Sequence, residues 1–450
     1  MVKKMGRSRC IERRLSPPLV AVCVACCCLI LAGLYVSAVF GAETLSLNEV
    51  IALALQQDAQ ARAETWAARA ARAEGAGLVA GYGPRLAASG DLLHSNERLT
   101  GGLDDPERRA DFTESSWRLS FSQPLFDAEK FAAARRGLRE MAIGDLSERQ
   151  AKEDVLLRAH ERYYQTLAAR QKLVLAENES AALREQVEHA KSKLDLGAGT
   201  ITDQDNAQAR WSLALAAEIA AGTEYENAKK ALIEIICRDF TELRDIDEDG
   251  PLPAPGESLD YWLGRAEERN AELAISMRRL QAAEMLVTEK RGRFLPNLAV
   301  VVEYSDRDPS DGLASLDEAR REFRAGLRLQ MDILAGGVDA AAAVAASRRR
   351  DEAEAKLAAV RLSLKRSVSS LWDSLSDTEK LIAACQKAVA ASGRALDSTR
   401  AAHDEGVGTL LDVLNAQREY FQTLGRFRAA RYDYLILFHQ FQKATGAMSE

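Results

Sequence analysis

Two stretches of the chain, residues 125–250 and 310–450, contain no proline. Proline removes a backbone donor and breaks a helix interior. Its confinement to positions 17, 18, 84, 106, 124, 251, 253, 255, 296 and 309 leaves both tracts free to be helical. Both are rich in Ala, Leu, Glu, Arg, Lys and Gln, which lose least on entering a helix. Each is interrupted at one glycine pair, Gly197/Gly199 in the first and Gly406/Gly408 in the second. A reversal between packed helices needs a residue that tolerates positive φ. Each tract therefore predicts a long helix, a tight turn and a returning helix. The first helix is expected from about Asp127 to Leu196, on the order of 100 Å of rod. No compact globular domain needs one that long.

The distal part of that rod places Leu173, Ala176, Ser180, Leu183, Val187, Ala190 and Leu194 at alternating spacings of three and four, a heptad seam. The side chains are small, so neighbouring helices should approach closely. One face of an ordinary bundle has the same period, and only the length argues for a coiled-coil barrel or stalk. Between the tracts lie segments of period two. Trp117, Leu119 and Phe121 alternate with polar residues, and so do Phe323, Ala325, Leu327, Leu329 and Met331. Leu298, Val300, Val302 and Tyr304 alternate with Ala299, Val301 and Glu303, and a weaker candidate runs from Arg85 to about Leu93. These are four strands in two pairs, joined by polar loops at about 94–114 and 305–320. Strands of about 9–11 residues with one apolar face match a membrane β-barrel; a small β-domain covering the helix ends fits the alternation equally well.

A self-comparison organises the whole chain. Residues 197–208 and 406–417 share the pattern G-x-G-T-x-x-D-x-x-N-A-Q at an offset of 209, and the seam recurs as Ile382, Cys385, Val389, Ser392, Leu396, Thr399 and His403. Upstream, Leu47-Asn48, Asp58-Ala59 and Pro84-Arg85-Leu86 match Leu259-Asp260, Asn270-Ala271 and Pro296-Asn297-Leu298 at an offset of 212. The expected organisation is a first repeat at 42–244, an acidic and Pro-rich linker at 245–256, and a second repeat at 257–450. Each repeat supplies two strands, so a protomer supplies four. About eight is the practical minimum for a closed barrel, so membrane strands would require oligomerisation.

The amino terminus sets the compartment. Met1 to Ser16 carries six basic residues against Glu12, and 22 uncharged residues follow from Leu19 to Phe40, with Val39 and Gly41 at the −3 and −1 positions of a cut after Gly41. This is the order of a secretory signal, residues 1–41. The apolar run is also long enough to span a bilayer, so a retained inner-membrane anchor is the alternative. Without the leader the charges are 54 positive against 66 negative, a net −12, which argues against nucleic acid as a partner. Only Cys237 and Cys385 remain, so the exported chain does not rely on disulfides. Beyond residue 41 no uncharged apolar stretch is long enough for a transmembrane helix.

The order of elements, the two glycine-turn motifs and the proline-led strands resemble the TolC-type outer-membrane channel family, over essentially the whole mature chain. Gln123-Pro-Leu-Phe-Asp127 and Arg431-Tyr-Asp-Tyr434 share in the resemblance. It implies a mainly helical fold with a small β part, in which long helical hairpins form a periplasmic coiled-coil barrel. Four strands per protomer would contribute to a shared 12-stranded transmembrane barrel in a homotrimer. The implied function is a gated exit duct in the outer membrane of a Gram-negative bacterium, serving type I protein secretion or drug efflux. Its implied partners are a periplasmic adaptor (membrane fusion) protein, an inner-membrane transporter, ABC or proton-driven, and outer-membrane lipid. Asn415-Ala-Gln417 and Arg431–Tyr434 lean towards the type I branch. The rival reading is an exported coiled-coil scaffold or adaptor without a barrel.

By the same resemblance, Gly197, Gly199, Thr200, Gly406, Gly408 and Thr409 mark helix turns where the adaptor docks. Thr202, Asp203, Asp205, Asp412 and Asn415 mark a periplasmic constriction. Threefold repetition would make each Asp a ring of like charge, which attracts cations and repels anions. An acidic pair three residues apart lines the family's constriction; here Asp412 matches one member and the other is Asn415. The family's closing contacts also use a Tyr and an Arg where this chain has His403 and Gly408. The competing reading of each Asp is a helix cap or a dipole partner.

No catalytic constellation, cofactor motif or paired metal-ligand spacing is present in the sequence, so no enzyme, cofactor or metal is expected. Asp245 to Gly250 resembles the opening of a calcium loop, but its twelfth position is Gly256 and three prolines intervene, which argues against calcium.

Overall fold

The computed structural model describes residues 44–99, 108–246, 250–310 and 320–448. The leader and residues 247–249 of the calcium-like stretch lie outside the described residues. The elements run β1 (Thr44–Leu45), α1 (Leu47–Gln57), α2 (Ala59–Ala80), β2 (Arg85–Leu99), β3 (Arg108–Phe126), α3 (Ala128–Asp195), α4 (Ile201–Ile236) and β4 (Glu242–Leu243). They continue with α5 (Leu259–Arg269), α6 (Ala271–Gly292), β5 (Asn297–Ser310), β6 (Arg320–Gln330), α7 (Val338–Asp404) and α8 (Leu410–Ala444). A small unit holds the parallel bridge of β1 on β4, with the Arg244 N–H donating to the Leu45 carbonyl at 2.9 Å. All other elements belong to one large unit.

Each long helix begins and ends on chemistry legible in its sequence. Asp127 caps α3 by accepting the Lys130 N–H at 2.9 Å. The helix stops where Gly197 takes φ +72°, and the Ala198 N–H donates back to the Lys193 carbonyl. α7 stops in the same way at Gly406, φ +76°. The seam residues are all withdrawn from solvent: Ser180, Leu183, Val187 and Ala190 are buried in α3, as are Ile382, Cys385 and Leu396 in α7. In α4 the buried residues Ala207, Ala214 and Ala221 recur every seven positions. Near the turns, Leu183, Val187 and Ala190 of α3 pack with Ala207 and Ala214 of α4 and with Leu410 and Leu414 of α8, so both halves share one core. Elsewhere α2 lies on α3 at glycine separation: a Cβ on Gly75 would stand 2.7 Å from the Gly137 carbonyl.

At the opposite end of α8, Phe441, Tyr434 and Ala430 pack with Val368, Leu375 and Ile382 of α7 and with Trp262 of α5. Here the Arg431-Tyr-Asp-Tyr434 segment holds the linker. Arg431 donates to the Gly250 carbonyl at 3.0 Å, Tyr434 to the Pro253 carbonyl at 2.8 Å, and Tyr432 to Asp245 Oδ1 at 2.8 Å. Gln171 of α3 donates to the other Asp245 oxygen at 2.5 Å. One imidazole from each half also meets in this region: His160 of α3 and His439 of α8 lie with ring centroids 3.7 Å apart, beside Tyr164. Burial pushes both down, His439 to about 4 with a further contribution from the neighbouring His160.

The strands are longer than expected, 15 residues in β2 and 19 in β3, and the first loop is correspondingly shorter than 94–114. The second loop shortens too, because residues 305–310 are still strand. The two pairs also join, through β3 against β5, into one antiparallel sheet of order β2-β3-β5-β6. Register sorts the side chains cleanly. Leu86, Phe121, Val302 and Ala325 stand in line on one face, with Ala88, Leu119, Tyr304 and Phe323 in the next line. The opposite face carries ion pairs, Arg118 with Glu303 at 2.8 Å and Arg307 with Glu114 at 2.5 Å. Pro124, which cannot donate to a ladder, sits at a register shift. The apolar face is open, with Leu327 68% and Leu329 70% exposed. Among the described residues β2 and β6 each pair on one side only.

Candidate functional site

The two helix turns are built on one plan. After each positive-φ glycine comes a second glycine in close quarters: a Cβ on Gly199 would meet the Leu194 nitrogen at 3.1 Å, and one on Gly408 the His403 nitrogen at 3.3 Å. Then a threonine caps the returning helix. Thr200 Oγ1 accepts the Asp203 N–H at 3.1 Å and donates its hydroxyl to Asp203 Oδ2 at 2.7 Å. Thr409 and Asp412 form a full capping box, in which the Thr409 hydroxyl donates to Asp412 Oδ2 at 2.5 Å and the Thr409 N–H donates at 3.2 Å. The hydroxyl and then the N–H hold the Asp412 carboxyl below the ordinary carboxylate value, so it stays charged into acid.

The candidate constriction residues therefore divide. Asp412 completes the capping box of α8, and Asp203 accepts the hydroxyl of the threonine that caps α4. Thr202 and Asp205 are exposed, with no side-chain hydrogen bond among the described residues. Asn415 is bound: Arg210 of α4 donates to its Oδ1 at 2.8 Å. A second bridge crosses between the hairpins nearer the turns, where Lys193 Nζ of α3 lies 3.1 Å from His403 Nε2 of α7. An ammonium only donates, so Nε2 accepts; Nδ1 then carries the proton and donates to the Gly408 carbonyl at 3.2 Å. Lys193 and Arg210 lie outside the repeated glycine-turn pattern's shared positions. The signal was their mismatch across the repeat, where the equivalent positions are Ala402 and Glu419.

Around the turns apolar side chains stand in solvent, Leu196 and Val407 both at 83% exposure and Ile201 close behind. Isolated exposed apolar residues are ordinary; here three of them gather at two matching helix reversals. No group of three or more metal-ligating side chains occurs among the described residues.

The family model described as outer membrane efflux protein matches residues 50–238 and 262–447. The alkaline protease secretion protein AprF of Pseudomonas aeruginosa is 27% identical over 422 residues, covering 91% of this chain and 86% of its own length. Outer membrane protein TolC of Vibrio cholerae is 24% identical over 405 residues, with 89% and 88% covered. Among solved structures, the Campylobacter jejuni CmeC outer membrane channel superposes with a TM-score of 0.79 at 16% identity, covering 89% of this chain and 85% of that one.

Proposed function

The chain belongs to the outer membrane efflux protein family, and on that premise we propose that three copies close one barrel and one helical tunnel, the outer-membrane exit duct of a tripartite export system. The observation that carries the reading is the sheet. Its four strands leave one apolar face open and both edges unpaired. The apolar band on β5, from Leu298 to Tyr304, spans about 20 Å along the strand, close to the height of an outer-membrane barrel's apolar band. Unpaired strand edges in lipid are untenable, because no water satisfies their backbone groups. Twelve strands from three copies remove every edge, with the ion-paired face turned to the lumen. A scaffold without a barrel would leave the apolar face in water.

The turns supply the other end of the duct. Gly197, Gly199 and Thr200, with Gly406, Gly408 and Thr409, frame the reversals that present Leu196, Ile201 and Val407 to a periplasmic adaptor. Beyond the adaptor stands an inner-membrane transporter, ABC or proton-driven. Asp203, Asp205 and Asp412, repeated threefold, give the constriction its negative charge, and Thr202 lies among them. Asn415 contributes through its bond to Arg210 rather than as a charge. AprF, by its name, serves protease secretion, and a polypeptide cargo is the reading we favour here. The Arg431–Tyr434 segment, which leans the same way, also holds the linker.

The test is to express the precursor in a Gram-negative host without its own channel, separate the two membranes, and record conductance from the purified protein in planar bilayers. Outer-membrane recovery and discrete channels are expected; a soluble or inner-membrane species without conductance would favour the scaffold.

A further inference from the structure

We propose that the cleft where α3, α6, α7 and α8 meet is a binding site for a small free alkylguanidinium, held against the Glu153 carboxylate. The cleft has a volume of about 360 Å³, within the range of small-molecule sites. Glu153 of α3 lines it beside Ser367 of α7, and Leu157, Leu364 and Leu371 supply an apolar wall. Three carboxylates are buried among the described residues: Asp58, Glu153 and Glu289. A buried charge is costly unless it is paired. Burial opposes the charge on each, and two of the three overcome it. Asp58 accepts from Arg158 Nη2 at 2.7 Å and from the Ala61 N–H at 3.0 Å, and Glu289 accepts from Lys290 at 2.7 Å and Arg136 at 2.9 Å. Those two carboxyls are held below the ordinary value. The ion pair of Glu153 among the described residues is with Arg149 Nε at 3.3 Å, and the same guanidinium also donates to the Arg269 carbonyl. There burial wins and pushes the carboxyl up.

The internal repeat shows which group the cleft lacks. Asp58 and Asn270 are equivalent positions, and at the offset of the seam Arg158 of α3 is equivalent to Ser367 of α7. In the first half the Arg158 guanidinium closes the joint between α2 and α3 on Asp58. In the second half Asn270 still caps its helix, accepting the Leu273 N–H at 3.0 Å, but α7 offers a serine hydroxyl where α3 offers a guanidinium. The room of an arginine side chain is thereby left open beside a buried carboxylate. Other charges at the cleft do not fill that role. Lys443 is paired with Asp154, and Glu272, exposed and without an ion pair among the described residues, adds a second negative charge. A guanidinium on a short alkyl chain would set its charge on Glu153 and its chain along Leu364 and Leu371. The cleft is formed by helices of a single chain, so the site exists whether or not three copies close a barrel.

Titration calorimetry of the purified full-length mature protein with n-butylguanidinium, and with n-butylurea as its uncharged shape match, tests the site. The guanidinium should bind saturably, one per chain, and at least about tenfold more tightly than the urea. Glu153→Gln removes the charge and keeps the shape, and should weaken guanidinium binding by about tenfold or more while leaving the urea unaffected. Ser367→Arg supplies from α7 the group that Arg158 supplies from α3, and should abolish probe binding with the melting temperature kept or raised. The tripeptide Gly-Arg-Gly presents the same group on a backbone and should bind several-fold more weakly than the free cation; tighter binding would overturn the free ligand in favour of an arginine carried by a polypeptide. Equal binding of guanidinium and urea, or native affinity in either variant, overturns the site. If E153Q does not fold, S367R decides: lost binding in a folded protein supports the site, and retained binding overturns it.

Discussion

In the β2-β3-β5-β6 sheet the apolar side chains stand open on one face while ion pairs gather on the other. At the hairpin ends the apolar side chains close on one another, and polar ones bridge neighbouring helices. One chain thus satisfies its hairpins by itself: the seam is buried, both turns are capped, and Lys193 and Arg210 reach acceptors in the other half. It leaves the two outer edges and the apolar face of its sheet open among the described residues. On the proposed duct, that contrast assigns assembly to the strands and leaves the helices complete within one chain.

The strongest way to break this contrast is in the shared helical core. Leu414, 1% exposed, packs where three helices from both halves meet, and Leu414→Ala should cost about 2–5 kcal/mol. Thermal unfolding of the extracted protein should show the loss with membrane insertion intact; an unchanged midpoint would mean that the hairpins do not share a core. In the sheet the two faces should respond oppositely. Val300→Arg on the open face should cost about 2–4 kcal/mol per copy if it sits at the bilayer midplane, and should sharply reduce outer-membrane recovery. Val301→Arg, on the ion-paired face, should be recovered as the native protein is. Equal recovery of both variants would remove the sheet from the membrane.

The stacked histidines sharpen the comparison through pH. In the fold His439 is held down at about 4, below the ordinary value near 6.5. The unfolded chain therefore takes up the proton first as pH falls. Stability is full above about pH 6.5 and declines towards pH 4, by on the order of 2–3 kcal/mol. His439→Phe should flatten that decline in apparent melting temperature. An undiminished decline would assign acid sensitivity to other groups. The smallest effect belongs to the caps: Thr409→Ala, which breaks a full capping box, should cost about 1 kcal/mol. Thr200→Ala should cost somewhat less, since its partner Asp203 makes no return bond to the Thr200 N–H. Amide exchange in the first turns of α4 and α8 would read both.

Local chemistry carried much of this fold into the sequence. Asp127, the glycines at 197 and 406, the proline-free tracts and the seam from Leu173 to Leu194 set both ends of α3 and the stop of α7 to within a residue or two; the start of α7 carried no such signal. The strands were legible only where apolar side chains alternate. From His94 to Arg98 the residues are polar, yet pairing with β3 carries β2 to Leu99. At the candidate site, the bonds of Asp203 and Asp412 to their capping threonines follow from their place three residues after each threonine. The bridges to His403 and Asn415 could not be read in the same way, because they join residues 210 and 205 positions apart. Contacts of that span depend on how two hairpins settle against each other.

A single chain leaves its four-stranded sheet open at both edges among the described residues. The mass of the complex extracted from the outer membrane in mild detergent, measured with bound detergent accounted for, tests most directly whether further copies close those edges. Three chains per particle, all lacking the leader, is the expected result. A single chain recovered with an intact fold would contradict it, because the open edges of β2 and β6 would then need no partner.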